Sequence, residues 1–434
     1  MKYYLAIDLG ASSGRHIIGY QDNGNIKLVE VYRFNTGMSK SPNGLVWDIP
    51  QFLKDIIKGI KIAFSKYHNI ESLSIDTWGV DYVLMNGDKE ITPYYAYRNV
   101  RCEIASKQVH DIIPFKKLYQ ITGIQYASFN TIYQLFDDLK KGRLESATDY
   151  LMLPSYFTYK LTGIKTHEYT NESTTALLNA KSGEYDNSII EQLGLPKKLF
   201  NSIQKPGDYV GELLPEIQKE VGGNCKVILC ASHDTGSAFE SVDIPEDGLI
   251  ISSGTWSLLG VKSLSPIISE ESLNANYTNE GGVGYIRLLK NIMGMWIPNN
   301  VKNEVSYTQS FVDKNISFVD YKLTFDVNDP RLISPTSMKN EILDLLKDNP
   351  PRNDLELFDS IYRSLALSYK HAIAELEGIT NKKYSKVYVV GGGAKNIYLN
   401  KLIHEYTKME VIALPIEATA LGNIKIQMKA GKEL

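Results

Sequence analysis

The sequence lacks several features that would place a chain of this length in a particular class at once. It has no basic block of the kind that neutralises a phosphate backbone, and 47 Lys and Arg against 50 Asp and Glu leave a net charge of −3. No uninterrupted apolar stretch reaches the roughly 18 residues that a membrane-spanning helix needs. The three cysteines, Cys102, Cys225 and Cys230, form no CxxC pair and leave one unpaired in any disulfide scheme. We therefore expect a protein of the reducing cytoplasm that binds neither nucleic acid nor membrane.

The composition that remains is that of an ordinary globular enzyme-sized chain. Hydrophobic residues make up 43% and charged residues 22% of the sequence. Because 434 residues exceed what one hydrophobic core usually supports, we expect two lobes. The acidic segment 242–248, which contains a proline and a glycine, is typical of an exposed connection. We place the boundary there, with one domain over 1–244 and the other over 245–434.

Hydrophobic spacing predicts an α/β fold in the first domain. Residues 3–9, 15–20 and 26–34 are predicted as three antiparallel strands joined by Gly-, Ser- and Asn-containing turns. Residues 50–67 have apolar side chains at helical spacing, and residues 72–76 form a short apolar strand. The order is thus three strands, a helix and a strand.

The second domain repeats the opening of the first. Residues 248–252 and 256–261 are apolar strands around the small-residue turn 253–255, as at the start of the chain. Further on, a long amphipathic helix over 355–377 precedes a strand over 386–390. The strand leads into Gly391-Gly392-Gly393, an arrangement typical of a ligand-binding loop, although a simple strand-to-helix turn is the commoner meaning of such glycines.

Two of these turns are candidate phosphate loops. In the segment DLGASSGR, Asp8 to Arg15, the turn over residues 10–14 contains only small residues, so backbone N–H groups are open to an anion. By itself this segment is equally consistent with a simple β-hairpin turn that binds nothing. The carboxylate of Asp8 at its mouth favours a nucleotide, since it can hold Mg²⁺ or the water shell of Mg²⁺ against the phosphates. The segment SSGTWSL, with the hydroxyl of Thr255, offers a second loop of the same kind.

Two strand ends carry candidate catalytic and substrate-binding residues. In IDTWGVDY we expect Trp78 to be a core residue and Gly79 to bring backbone donors to a ligand hydroxyl. In CASHDTGSAF an apolar strand leads to His233 and Asp234. Asp234 could be no more than a helix N-cap. Beside a nucleotide, however, a carboxylate there is the base that hydroxyl phosphorylation requires, and we favour that role.

Taken in order, DLGASSGR, IDTWGVDYVL, ASHDTGSA, SSGTWSL, TNEGG with KNIMGMW, VGGGAKN and EATALGNI resemble the FGGY carbohydrate kinases of the actin/Hsp70/sugar-kinase superfamily. The resemblance covers essentially the whole chain, and TWGVDYVL and NEGG with KNIMG point to the branch that phosphorylates L-rhamnulose. It implies two ribonuclease-H-like (actin-like ATPase) lobes with a central interlobe cleft. It also implies ATP- and Mg²⁺-dependent transfer of a phosphoryl group to the 1-hydroxyl of L-rhamnulose, in rhamnose breakdown.

The resemblance implies roles for the residues of this sequence that stand at the functional positions of the family. Asn299 stands where these kinases have a glutamine at the nucleotide, and Asp234 is the implied proton acceptor. The residues implied for ATP are Ala11, Ser12, Ser13, Gly14, Arg15, Thr255, Asn299 and Gly392, and those implied for the sugar are Gly79, His233, Asp234, Thr235 and Asn291.

Two alternatives stay open at the level of the sequence. One is a kinase of the same family for another ketose or pentulose, such as L-fuculose, xylulose or ribulose. The other is a non-catalytic sugar- or nucleotide-sensing protein, or an actin-like ATPase, which would turn over ATP without a sugar.

Overall fold

The structure, a computed structural model, describes residues 1–305, 307–319, 321–414 and 417–432. The chain forms two compact units that interleave along the sequence. Unit 1 contains residues 1–242, 262–288 and 419–434, and unit 2 contains residues 243–261 and 289–418.

The strands are β1 Tyr3–Leu9, β2 Ser13–Asp22, β3 Asn25–Asn35, β4 Met38–Ser41, β5 Gly44–Trp47, β6 Ile70–Thr77, β7 Tyr82–Asn86, β8 Lys89–Ile91, β9 Asp149–Met152, β10 Tyr209–Glu212, β11 Lys226–Ile228, β12 Gly248–Ser253, β13 Trp256–Ser263, β14 Thr278–Gly281, β15 Ile286–Met293, β16 Lys386–Val390 and β17 Glu410–Ala413. The α-helices are α1 Ile49–Lys66, α2 Cys102–Ile112, α3 Phe115–Thr122, α4 Thr131–Lys140, α5 Leu153–Thr162, α6 Tyr169–Glu172, α7 Asn187–Leu193, α8 Pro215–Val221, α9 Asp234–Glu240, α10 Glu270–Asn274, α11 Trp296–Glu304, α12 Gln309–Asn315, α13 Met338–Leu345, α14 Asp354–Thr380, α15 Ile397–Thr407 and α16 Ala418–Ala430.

The central sheet of unit 1 has the strand order β10-β11-β6-β1-β2-β3. Strands β11, β6 and β1 run parallel, whereas β1, β2 and β3 form an antiparallel meander. The middle strands β1 and β6 are buried almost throughout, as expected for strands that are covered on both faces. Parallel strands end at the same edge of a sheet, and in unit 1 that edge carries the candidate site.

Helix α1 covers one face of this sheet because its apolar residues recur at helical spacing. Phe52, Ile56 and Ile60 are buried in the main core of unit 1. The helix begins where Asp48 accepts a hydrogen bond from the N–H of Gln51, 3.1 Å away. A second core in unit 1 lies around β7, β9 and α4.

The second six-stranded sheet has the order β14-β15-β13-β12-β16-β17, and its strands β12, β16 and β17 belong to unit 2. Strands β12, β16 and β17 are parallel, and β13 is antiparallel to β12. Strands β12 and β13 form an antiparallel hairpin like that of β1 and β2, as the sequence predicts.

The predicted elements are confirmed with shifts of a few residues at their ends. The strand predicted over 386–390 is observed at Lys386–Val390, and the helix predicted over 355–377 extends over Asp354–Thr380. Trp78 is 7% exposed, so the expectation of a core residue is also confirmed. None of the described helices combines the length and the apolar character needed to cross a membrane.

Candidate active site

Neighbouring parallel strands of unit 1 end with carboxylates at one edge of the sheet. Asp8 on β1 lies opposite Asp76 on β6 in the strand register. The next residue of β6, Thr77, forms a parallel bridge with His233, which follows β11. Asp234 comes directly after His233. The structure therefore brings Asp8 and Asp234, both predicted from the sequence, to the same edge of one sheet.

Asp234 is the first residue of α9, and His233 occupies the N-cap position. The Oδ1 atom of Asp234 accepts hydrogen bonds from the N–H of Thr235 at 2.6 Å and from the Thr235 hydroxyl at 3.2 Å. The Nε2 atom of His233 lies 3.5 Å from the same oxygen. Among the described residues, the contacts that orient this carboxylate thus converge on Oδ1.

The carboxylate of Asp234 is suited to accept a proton. Its side chain is 29% exposed, so a ligand can reach it. Burial raises its pKa above the usual value, a positive charge on His233 would oppose that shift, and the nearby charge of Asp8 adds to it. A carboxylate with a raised pKa is a stronger base than an ordinary one.

The first candidate phosphate loop joins β1 to β2. Its turn is closed by a hydrogen bond from the N–H of Gly10 to the carbonyl of Ser13, at 3.0 Å. Ser12 is exposed at the tip. Gly14 is required by packing, because a Cβ there would lie 2.2 Å from the ring of Phe34. At the base of the loop Arg15 donates a hydrogen bond to Asp8, its opposite residue in the antiparallel pair.

Asp76 is a residue of this edge that the sequence analysis did not select. It is fully buried, and its Oδ2 accepts a hydrogen bond from Nδ2 of Asn423 on α16, at 2.6 Å. Its Oδ1 has no hydrogen-bond partner among the described residues. Burial raises the pKa of Asp76 well above its usual value, and the charge of Asp8 raises it further. The signal that could have identified it is the pattern it shares with Asp8, an aspartate at the end of a buried strand.

Gly79 lies in the turn after β6, and its absence of a side chain has a packing reason. A Cβ at this position would lie 2.9 Å from the hydroxyl oxygen of Thr174, which also accepts a hydrogen bond from the N–H of Val80 at 3.2 Å. The close approach of the segment around Thr174 fixes the turn next to the strand end. A role of Gly79 toward the sugar stays a prediction.

In unit 2 the predicted nucleotide residues lie at the ends of β12 and β16. Ser252 pairs with Val390, so the turns that follow the two strands are neighbours. A Cβ on Gly393 would lie 1.9 Å from the hydroxyl oxygen of Ser253, whereas a Cβ on Gly392 would meet nothing within 4 Å. Gly393 is thus needed for packing, and the backbone at Gly392 is open to a ligand.

The turn at Thr255 also carries the start of α11. The carbonyl of Thr255 accepts hydrogen bonds from the N–H groups of Gly294 and Trp296, both at 3.2 Å. Asn299 follows within the first turns of α11 and is exposed. Pro298 is the third residue of this helix, where its missing N–H costs no intrahelical bond. The backbone of Thr255 is thus bonded to the start of the helix on which Asn299 lies.

The predicted site residues divide between the two units. Those of unit 1 are Asp8, Ala11, Ser12, Ser13, Gly14, Arg15, Gly79, His233, Asp234 and Thr235, and those of unit 2 are Thr255, Asn291, Asn299 and Gly392. Asn291 lies on β15 and is half-buried.

Comparison with known families assigns both halves of the sequence. Residues 3–239 match the N-terminal domain of the FGGY family of carbohydrate kinases, and residues 249–431 match its C-terminal domain. The chain belongs to the FGGY family of carbohydrate kinases. The family resemblance inferred from the motifs is confirmed, and as an FGGY kinase the protein is a sugar kinase.

Among FGGY kinases the sequence is similar to proteins named rhamnulokinase. The rhamnulokinase of Oceanobacillus iheyensis is 43% identical, over 98% of this chain and 93% of that protein. The rhamnulokinase of Bacillus subtilis is 38% identical, over 99% of this chain and 91% of that protein.

Solved structures of FGGY kinases and related enzymes have the same fold. A ligand-bound xylulose kinase from Lactobacillus acidophilus aligns with a TM-score of 0.82 at 17% identity, over 100% of this chain and 90% of that one. A glycerol kinase from Plasmodium falciparum, solved with ADP, aligns with a TM-score of 0.77 at 12% identity, over 100% of this chain and 90% of that one. The predicted α/β, actin-like ATPase fold with two sheet-containing lobes is thereby confirmed.

Proposed function

We propose that the protein transfers the γ-phosphoryl group of ATP to the 1-hydroxyl of L-rhamnulose. The observation that carries this proposal is the 43% identity to a rhamnulokinase across 98% of the chain. The half-buried but accessible carboxylate of Asp234, directly after a buried strand, supports the proposal because it can act as the base that this reaction needs.

The reaction requires the sugar oxygen to attack phosphorus as it loses its proton. In the proposed mechanism Asp234 accepts the proton of the 1-hydroxyl, the new O–P bond forms, and the bond between the γ-phosphorus and the bridging oxygen breaks to release ADP. Because Oδ1 of Asp234 accepts the hydrogen bonds from Thr235, the oxygen that takes the proton is Oδ2. Most of the remaining acceleration comes from positioning and charge stabilisation.

The acceptor is proposed to bind at the edge of the unit 1 sheet. Gly79 would offer backbone donors, and His233 and Thr235 flank the base in the chain. Asn291 is a further proposed sugar contact. An amide, a hydroxyl and an imidazole are side chains that hydrogen-bond sugar hydroxyls in either direction.

The second substrate is proposed to be ATP with its Mg²⁺. The open backbone at Gly392 fits a flat nucleoside, and Thr255 and Asn299 lie on the neighbouring turn and helix. The loop from Ala11 to Arg15 is the proposed contact to the phosphates. A Mg²⁺ ion that arrives with the nucleotide usually needs only one or two protein carboxylates, and Asp8 is the proposed one.

The assignment of sugar binding and the first phosphate loop to residues 1–244, and of nucleotide binding to residues 245–434, stays a prediction. It agrees with the family boundary, which falls between residues 239 and 249. The contact-based units assign residues 262–288 and 419–434 to unit 1 instead.

The test is ADP release from MgATP by the purified protein across L-rhamnulose, L-fuculose, D-xylulose, L-xylulose, L-ribulose and glycerol, with a control that contains no sugar. We expect strong turnover with L-rhamnulose alone, and L-rhamnulose 1-phosphate as the product. A preference for another ketose would refute the substrate while keeping a kinase. ADP release that does not depend on sugar would refute the kinase and favour an ATPase.

A further inference from the structure

A buried ion pair lies behind the proposed base. The side chain of Arg287 on β15 is 0% exposed and that of Glu280 on β14 is 6% exposed, and Nη1 lies 3.1 Å from Oε2. The Nε of Arg287 donates a hydrogen bond to the carbonyl of Gly281 at 2.7 Å. Taking a guanidinium out of water is costly, and a buried ion pair does not by itself improve stability over apolar residues. A fully buried arginine therefore needs a further reason.

The imidazole of His233 provides that reason, since the ion pair contacts its Nδ1 atom. Both Nη1 and Nη2 of Arg287 lie 3.2 Å from Nδ1. A guanidinium can only donate hydrogen bonds, so Nδ1 must accept them and carries no proton. Oε2 of Glu280 also lies 3.1 Å from Nδ1, but its charge is met by the guanidinium at the same distance. A neutral imidazole leaves these three buried groups with no net charge.

We propose that Arg287 and Glu280 are positioning residues that hold His233 neutral, with its proton on Nε2 facing Asp234. The Nε2 atom lies 3.5 Å from Oδ1 of Asp234, the oxygen that also accepts from Thr235. With this tautomer the N–H of Nε2 lies on the side of Oδ1, and Oδ2 is left to take the substrate proton. This inference rests on the proposed function for its kinetic consequence, but not for the state of the imidazole.

The ion pair also protects the basicity of Asp234. If Nδ1 carried a proton as well, His233 would be a cation next to the base and would stabilise its ionised, less basic form. Arg287 prevents this because its own positive charge at Nδ1 disfavours a second one. The negative charge of Glu280 balances the positive charge of Arg287, so the ion pair does not itself lower the basicity of Asp234.

The remaining ionisable groups near His233 do not change this balance. Tyr169 on α6 interacts with Arg287, and burial raises its pKa, so it is neutral at assay pH. Glu168 is buried and accepts hydrogen bonds from Ser232, which precedes His233, and from Thr170. The charged groups that face the imidazole itself are Asp234, Glu280 and Arg287.

The direct test is the protonation state of His233 in the full chain, read from long-range ¹H–¹⁵N correlation spectra of protein with ¹⁵N-labelled histidine. The chain has seven histidines, and the H233N variant assigns the signal. We expect an unprotonated Nδ1 and a protonated Nε2 at pH 7.5. R287M removes the guanidinium and keeps the carboxylate of Glu280 3.1 Å from Nδ1, so we expect Nδ1 to become protonated. A protonated Nδ1 in the wild-type protein, or an unchanged tautomer in folded R287M, would overturn the proposal.

Kinetics separate positioning from a merely structural role. With L-rhamnulose we expect R287M to lower kcat on the order of 100-fold with a smaller change in KM, because the base is misoriented beside a cation. We also expect the acid limb of its kcat profile to move to higher pH, since His233 must first lose a proton. R287K keeps the positive charge and should restore the wild-type profile in part, and E280Q should leave Nδ1 unprotonated.

The matched control is R143M, which removes another arginine of unit 1, whose side chain is 14% exposed. Arg143 pairs with Asp138 and donates to the carbonyls of Thr92 and Pro93. We expect the pH profile of folded R143M to match the wild type; the same shift in R143M as in R287M would overturn the proposal. If the wild-type protein did not phosphorylate L-rhamnulose, the proposed function would fail, while the spectra would still decide the state of His233.

Discussion

Replacing Asp234 by asparagine should remove the base and little else. Oδ1 of Asp234 accepts from the N–H of Thr235 at 2.6 Å and from its hydroxyl at 3.2 Å, and an asparagine carbonyl oxygen can accept the same bonds. The amide nitrogen then replaces Oδ2, the oxygen proposed to take the substrate proton. The ground-state structure and the affinity for the sugar should therefore change little.

The expected loss follows from the role of the group. General bases contribute about 10²- to 10⁴-fold in rate, so kcat of D234N should fall by that factor, equivalent to about 2.7–5.5 kcal/mol of transition-state stabilisation. Stability should not fall, because the raised pKa of Asp234 means that its ionised form is disfavoured in the folded protein. In the wild type, kcat should decline with falling pH at values above the usual range of an aspartate, as the base becomes protonated.

The assay is coupled ADP release at saturating L-rhamnulose and MgATP, together with urea unfolding of each variant. D186N is the matched control, since Asp186 is an N-cap whose bonds from Ser188 and Ile189 an asparagine can also accept. A kcat within about threefold of the wild type in folded D234N would refute the assignment of the base, because that loss is below the smallest contribution expected of one.

Three further predictions concern packing and burial. G392A should leave the free energy of unfolding unchanged and raise KM for ATP. G393A should instead destabilise the fold by about 1–3 kcal/mol, since its Cβ would lie 1.9 Å from Oγ of Ser253. Urea unfolding and ATP titration of both variants check this, and equal destabilisation of the two would contradict it. N423A should cost about 1–3 kcal/mol in urea unfolding, because it leaves the buried carboxylate at the end of β6 without the hydrogen bond seen at 2.6 Å. Burial lowers the pKa of His16 from 6.5 to about 4, so its contribution to stability should be full above about pH 6.5 and fall toward pH 4, by up to about 3 kcal/mol. The urea midpoint measured against pH checks this. If an H16Q variant showed the same fall in midpoint, other groups would be responsible for the fall.

Several parts of the site follow from local sequence. The apolar runs before Asp8 and Asp234 predict buried strands, and the carboxyl ends of parallel strands share an edge of a sheet. The same argument would have selected Asp76. The glycine turn after β16 is predicted as a strand-to-helix connection with open backbone, and the structure adds that Gly392 is the open residue and Gly393 the packed one.

Other parts depend on residues that no local pattern connects. Asn423 bonds Asp76 from a helix 347 residues further along the chain, and Arg287 reaches His233 across 54 residues. The spacing of side chains specifies the path of the backbone over a turn or a strand, because burial repeats with the period of the element. Which buried groups become neighbours, and so which pKa values shift and which tautomer a histidine adopts, is decided by the packing of distant segments. By itself the sequence determined the strands, the glycine turns and the carboxylates at the ends of the strands, and only the tertiary structure decided the hydrogen-bond partners and the electrostatic environment of those carboxylates.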